Sequence, residues 1–146
     1  MIYLDASVIF SLYGMDSNTT AAVSLIGNAG EPLLLTPFAE LETLNAFSLG
    51  RFRKELSDND LVRLRHDFQL DTEANVYRLR PLPEATFTRA KSLAEKITPS
   101  IGVRAADLLH IAAAIELGAK SIYTFDQRQH AAAQAAGLKV NPLPKP

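Results

Sequence analysis

Two short segments restrict the fold of this chain more than any other feature: Ile2-Tyr3-Leu4 and Leu33-Leu34-Leu35, apolar at consecutive rather than alternate positions. A strand with one wet face alternates apolar and polar residues, so a run apolar throughout belongs to a strand covered on both sides. NVYRLRPLP, SIYTF and LKVN supply three further strand segments, and stretches of helical spacing separate all five. Strands alternating with helices in this way predict a three-layer α/β/α sandwich around a mainly parallel sheet, with right-handed crossovers.

The helices are bounded by recognisable signals. Asp5 or Ser7 caps a helix from about Ala6 to Tyr13, and Asn18 or Thr19 caps a second that ends near Asn28-Ala29-Gly30. Pro37 suits the first turn of a helix running to about Leu49, and Ser57 or Asp58 caps one carrying Leu61, Leu64 and Phe68. Pro83-Glu84 opens a helix with Phe87, Ala90, Leu93, Ala94 and Ile97 on one face, and TPSIG breaks it. An alanine-rich helix then runs to Leu117, closed by Gly118, and a last helix spans Gln127 to Ala136.

With 146 residues, 47% hydrophobic and 21% charged, the chain has the size and composition of one folded domain, taken as residues 1–141 with a flexible tail at 142–146. It has no cysteine, which excludes a disulfide framework, a zinc-thiolate site and a thiol nucleophile. No basic residues precede the first apolar run, and AADLLHIAAAIELGA is interrupted by Asp107, His110 and Glu116, so it reads as a core helix. The expectation is a soluble, cytoplasmic protein with no membrane partner. A formal charge of −1 gives no whole-molecule attraction for nucleic acid. A polyanion would need a local basic patch or a bound cation.

The acids now acquire meaning. In open α/β sheets, ligands sit beyond the carboxyl ends of the strands. Asp5 ends the first strand and Asp126 follows the fourth, so a parallel sheet brings the two to one edge although some 120 positions separate them. Glu40 and Glu42 follow the second strand, and Asp107 lies in the first turn of the alanine-rich helix, where the positive helix end offsets part of its charge. Each acid alone reads as a cap, a turn former or a solvated helix position; together they crowd one edge. Crowded carboxylates repel and take up protons unless a cation compensates. Oxygen ligands select a hard divalent ion, magnesium or manganese, which can assist phosphodiester hydrolysis. Ser7 and Thr124 offer hydroxyls beside Asp5 and Asp126, while His110, one helical turn from Asp107, reads as a hydrogen-bonded core histidine with no catalytic role.

The ordered set LDAS, ETLN, AADLLHIAAA and TFD resembles the PIN-domain ribonucleases, and among them the VapC toxins of toxin–antitoxin pairs, over nearly the whole chain from Ile2 to about Val140. The resemblance implies a Mg2+-dependent endoribonuclease, with Mn2+ as substitute, whose catalytic and metal-binding acids are Asp5, Glu42, Asp107 and Asp126. Asn45 matches the family asparagine one turn after the glutamate. The residues themselves leave Glu40 and Glu42 open as the second acid, and the E-x-x-N match favours Glu42. Ser7, Asn45, Thr124 and Glu40 are the supporting positions.

Arg51, Arg53 and Arg104 are the candidates for gripping RNA, with Lys54, Arg63 and Arg65 behind them. The resemblance also implies a homodimer and a cognate antitoxin laid over the active-site groove, for which Phe10, Tyr13, Phe47 and Phe52 offer apolar contacts. Three other readings stand beside the toxin: a PIN nuclease of RNA processing or decay, a catalytically inactive PIN adaptor, and a phosphoacceptor receiver domain. The last lacks the expected acid after strand three, where Arg80-Pro81 stands.

Overall fold

The computed structural model describes residues 1–145. The chain runs β1 (Ile2–Leu4), α1 (Ala6–Gly14), α2 (Thr19–Gly27), β2 (Leu33–Leu35), α3 (Pro37–Phe52) and α4 (Asp58–Glu73). It continues through β3 (Tyr77–Leu79), α5 (Thr86–Ile101), α6 (Ala105–Glu116), β4 (Ser121–Tyr123), α7 (Gln127–Ala135) and β5 (Lys139–Val140). All neighbouring strands pair in parallel, in the order β3-β2-β1-β4-β5, with Ile2 opposite Leu33 on one side and Ser121 on the other.

Two cores flank the sheet, and side-chain alternation along the strands feeds both. Ile2, Leu4, Leu33 and Leu35 join Ile9, Phe47, Leu64 and Phe68 on the face covered by α1, α3 and α4. Tyr3, Leu34 and Ile122 join the residues of α5, α6 and α7 on the other. This is why the first two strands are apolar at every position, and the expected α/β/α sandwich with its parallel sheet is what forms.

The strand order also locates the functional edge. The chain moves outward from β1 through β2 to β3, then returns to place β4 on the opposite side of β1. The crevice beyond the carboxyl ends of β1 and β4 is therefore the topological switch point. Asp5 and Asp126 follow those two strands.

Three details differ from the sequence reading. Helix α5 does not stop at Thr98 but continues through Pro99 to Ile101, where Gly102 closes it in the left-handed region at φ 68°. So near a helix end, the proline forfeits only one intrahelical bond, and Ile97 and Ile101 anchor the turn against the core. The same helix starts at Thr86 rather than at Pro83-Glu84, and its buried stripe is Thr86, Ala90, Leu93 and Ile97. Phe87 is one position, about 100°, off that stripe and lies 58% exposed. Phe47 is fully buried between Phe10, Tyr13 and Phe68, so it is core rather than a docking contact. Positions 142–145 form no regular element, and Pro146, the last residue of the expected tail, lies outside the described residues.

Candidate active site

Helix capping and acid clustering turn out to be one arrangement. Asp5 caps α1: its Oδ2 accepts from the Ser7 backbone N at 3.2 Å and from the Ser7 hydroxyl. The Thr124 hydroxyl, 2.9 Å away, donates its single hydrogen to the same carboxylate and accepts from the Asp126 backbone N. Asp126 caps α7 through the backbone N–H groups of Arg128 and Gln129, both 2.9 Å from Oδ1. Asp107, three residues into α6, accepts from the Arg104 backbone N. Each acid thus starts a helix whose N-terminus points at the sheet edge, and the free N–H groups and helix dipoles tolerate the negative charge there.

Ser7 links the two sides of the switch point, because its hydroxyl also accepts from the Phe125 backbone N at 2.9 Å. Ser7 lines the cleft, whereas Thr124 is wholly buried beneath it as a tether for Asp5.

Asp5, Glu42, Asp107 and Asp126 all line one cleft of about 580 Å³, together with Ser7, Asn45, Arg53 and Arg104. Asp5 and Asp107 are nearly buried, each 6% exposed. Asp5, Glu42 and His110 each present one ligand atom within 4.8 Å of the others, a spacing that suits a single divalent ion. Asp107 and Asp126 are instead held by Arg104. Its guanidinium lies 3.0 Å from an oxygen of each, and its own protonation is reinforced first by the hydrogen bonds and charge of Asp107, then by Asp126.

The remaining candidates separate clearly. Asn45 lies on the cleft wall with Glu42. Glu40 does not reach the cleft; it lines a second groove, between α3 and α4, with Leu41 and Arg65. The two acids are two residues apart on a helix, about 200° around its axis, so they cannot share a face. Arg51 is also drawn elsewhere, forming paired hydrogen bonds to Asp58 at the start of α4, while Arg53 lines the cleft. Of the apolar candidates, Phe10 lines the cleft and Phe52 is 82% exposed, whereas Tyr13 ties its hydroxyl to Asp71 and Tyr77.

His110 is the hydrogen-bonded core histidine that the sequence suggests, and its partner brings it to the acids. It is buried, at 1% exposure, as a core histidine should be, yet its Nε2 hydrogen-bonds Glu42 and stands 3.6 Å from Asp5 Oδ1. Its spacing carries part of the signal, its side of α6, but not the contact with Glu42. A residue three positions after Asp107 lies on the same face of α6.

The fold and this cleft define a class, the single-domain α/β/α sandwiches with an acidic cleft at the switch point of a parallel sheet. The chain belongs to the PIN-domain family, whose model matches residues 2–135. None of the curated proteins is a sequence match. Among solved structures it is similar to VapC20 of Mycobacterium tuberculosis, described as a sarcin-ricin loop cleaving toxin, at 19% identity and TM-score 0.69, covering 94% of this chain and 96% of that one. It is also similar to FitAcB from Neisseria gonorrhoeae, at 18% identity and TM-score 0.68 over 96% of each chain. VapBC2 from Rickettsia felis, bound to promoter DNA, matches at 14% identity and TM-score 0.64, covering 97% and 98%.

Proposed function

We propose that this protein is a divalent-metal-dependent endoribonuclease acting as the toxin of a toxin–antitoxin pair in the cytoplasm, with Mg2+ as its ion and Mn2+ as substitute. The observation that carries the reading is the charge of the cleft. Six carboxylates line it (Asp5, Asp16, Glu42, Glu55, Asp107, Asp126) against two guanidinium groups (Arg53, Arg104), a formal balance of −4. Such a cleft repels a phosphate backbone until a cation enters, and at its floor the ligand atoms of Asp5 and Glu42 are close enough to hold one.

When bound, a divalent ion supplies Lewis-acid activation of water and neutralises charge on the scissile phosphate. Asp5 is the anchor, fixed by Ser7 and Thr124 so that its other oxygen faces the cleft. Glu42 supplies the facing carboxylate from α3, and Asp107 and Asp126 complete the acidic wall. Asn45, beside Glu42, orients the substrate, and Arg53 and Arg104 provide the positive groups that a phosphate requires.

The fold neighbours support the toxin role, since one is described as a toxin and others carry VapBC and FitAB names. An antitoxin would place a basic side chain among these acids, a position for which Arg104 already demonstrates the charge fit. A homodimer, as the family resemblance implies, completes the proposal.

Asp5→Asn tests it. The amide keeps an oxygen to cap α1 but removes the charge, so Mg2+-dependent cleavage of a mixed RNA pool should fall at least 100-fold, with far-ultraviolet circular dichroism unchanged; about 3 kcal/mol of transition-state stabilisation corresponds to that ratio. Cleavage that survives in the variant, or in excess chelator, would sink the assignment.

A further inference from the structure

Behind Glu42 lies a chain of buried polar groups that the cleft does not need for packing. His110 Nδ1 is 2.9 Å from the Tyr3 hydroxyl, which is 2.9 Å from the Thr36 hydroxyl, and Thr36 Oγ1 caps α3 by accepting from the Ala39 backbone N. Tyr3 and Thr36 are wholly buried. The imidazole is clamped as well: the Phe38 ring, on the first turn of α3, packs against it at 4.7 Å between centroids, and the Tyr3 ring meets it edge-on at 5.7 Å.

The hydrogens can be counted. Thr36 Oγ1 receives the Ala39 N–H, and its own hydrogen has Tyr3 as the partner in reach. Tyr3, kept protonated by burial, then has its hydrogen free for His110 Nδ1. An imidazole that accepts at Nδ1 carries its hydrogen on Nε2, and that hydrogen faces Glu42. Run in this direction, each hydroxyl donates once and accepts once; in the reverse direction Thr36 keeps a hydrogen with no acceptor, which is costly in a buried site.

We propose that His110 is a positioning residue: it donates its Nε2 hydrogen to Glu42 and fixes that carboxylate for the metal, while Tyr3 and Thr36 set the tautomer that makes this possible. The inference rests on the nuclease reading of the cleft and adds a role to a residue outside the acid quartet. It also decides between two roles for His110, whose Nε2 stands close enough to Asp5 and Glu42 to be a ligand itself. A nitrogen carrying a hydrogen cannot coordinate an ion. Glu42 has three rotatable side-chain bonds and is partly exposed to the cleft, so an anchored partner removes freedom that metal binding would otherwise have to remove. Partners of ligating groups typically affect metal affinity by 10–100-fold.

The test uses the full-length protein. Nitrogen-15 spectra of the imidazoles, assigned by their loss in His110→Asn, should show His110 with hydrogen on Nε2, and this pattern should persist when Mg2+ is saturating. His110→Gln places an amide N–H near the Nε2 position and should hold Mn2+ within about threefold of wild type. His110→Asn mimics the Nδ1 side only and should bind Mn2+ roughly tenfold more weakly, as should Tyr3→Phe. A merely structural role would lower thermal stability in these variants without separating Gln from Asn in Mn2+ affinity, and equal affinities would overturn the proposal. Loss of the Nε2 hydrogen on adding Mg2+ would overturn it in favour of a direct ligand, and an Nδ1–H form in the free protein would overturn the direction of the chain. A wild-type protein that binds no Mn2+ would defeat the nuclease reading itself, an outcome distinct from any of these.

Discussion

Arg104 shows how a single side chain can pair with two acids of the cleft and, on the proposed reading, still serve the substrate. Its guanidinium bridges Asp107 and Asp126, so in the absence of an ion these two acids are already compensated. The side chain is 65% exposed, and an ion pair that open to water contributes little to stability, on the order of 0–1 kcal/mol. A divalent cation can therefore displace it at small cost, leaving the guanidinium free for a phosphate. Arg104→Gln should tighten Mn2+ binding several-fold, because the competitor for Asp107 and Asp126 is gone, and raise the KM for RNA about tenfold, because a phosphate contact is gone. Calorimetric Mn2+ titration and cleavage kinetics check the two arms separately; weaker Mn2+ binding would show that the arginine supports the acids rather than competing for them. The pairing also limits what neutralising Asp107 can do. Asp107→Asn loses an ion pair as well as a repulsion, whereas Asp5→Asn mainly relieves repulsion from its neighbouring carboxylates, because Asp5 has no basic partner as close as 3.0 Å.

At the level of elements, the junction between α5 and α6 places Arg104 and Asp107. Gly102 closes α5 with φ at 68°, and no atom lies within 4 Å of where a Cβ would stand. Gly102→Ala therefore meets backbone strain without a clash, roughly 1–2 kcal/mol. The melting temperature should fall by about 2–6 °C for a chain of this size, read by calorimetry, with Mn2+ affinity nearly unchanged because α6 stays packed on α5. A drop in affinity as large as that of an acid variant would mean that this junction, rather than helix packing, fixes Asp107. The same junction shows where sequence signals stop. Gly102 was visible as a terminator and Pro99 as a breaker, but only the packing of Ile97 and Ile101 decides that the helix outlasts the proline. The buried stripe of α5 was displaced for a related reason: packing turns Thr86, Ala90, Leu93 and Ile97 toward the core, which leaves Phe87, about 100° from Thr86, outside.

The whole molecule explains which parts of the site could be read in advance. Asp5 and Asp126 were placed together by strand order alone, since a parallel sheet brings carboxyl ends to one edge whatever the side chains do. Glu42 and His110 come from helices on opposite faces of the sheet, and their meeting depends on how far each helix extends past the strand ends, which no local pattern encodes. Three tyrosines tie these layers together and make alkaline pH a probe of the assembly. Burial is the main cause that pushes Tyr77 up to about 12, and it raises Tyr3 and Tyr13 as well, with Asp71 and Tyr77 adding to the effect on Tyr13. A tyrosine ionised only with difficulty in the folded state loses its proton more readily when unfolded, at the ordinary value of 10.0. The stabilisation is therefore fully present below pH 10 and shrinks as pH rises toward the folded value, by about 1.4 kcal/mol per pH unit for each tyrosine. Tyr3 and Tyr77 together remove roughly 3 kcal/mol per unit, with Tyr13, half-buried and screened by water, adding less; against a total stability of about 5–15 kcal/mol, unfolding should set in above about pH 11. Tyrosinate absorbance at 295 nm for the buried groups should rise in step with the loss of helical circular dichroism, and Tyr77→Phe should make the pH dependence shallower. Ionisation of all the tyrosines near pH 10 with the helical signal intact would show that these hydroxyls are open to water, and that the layers are held together without them.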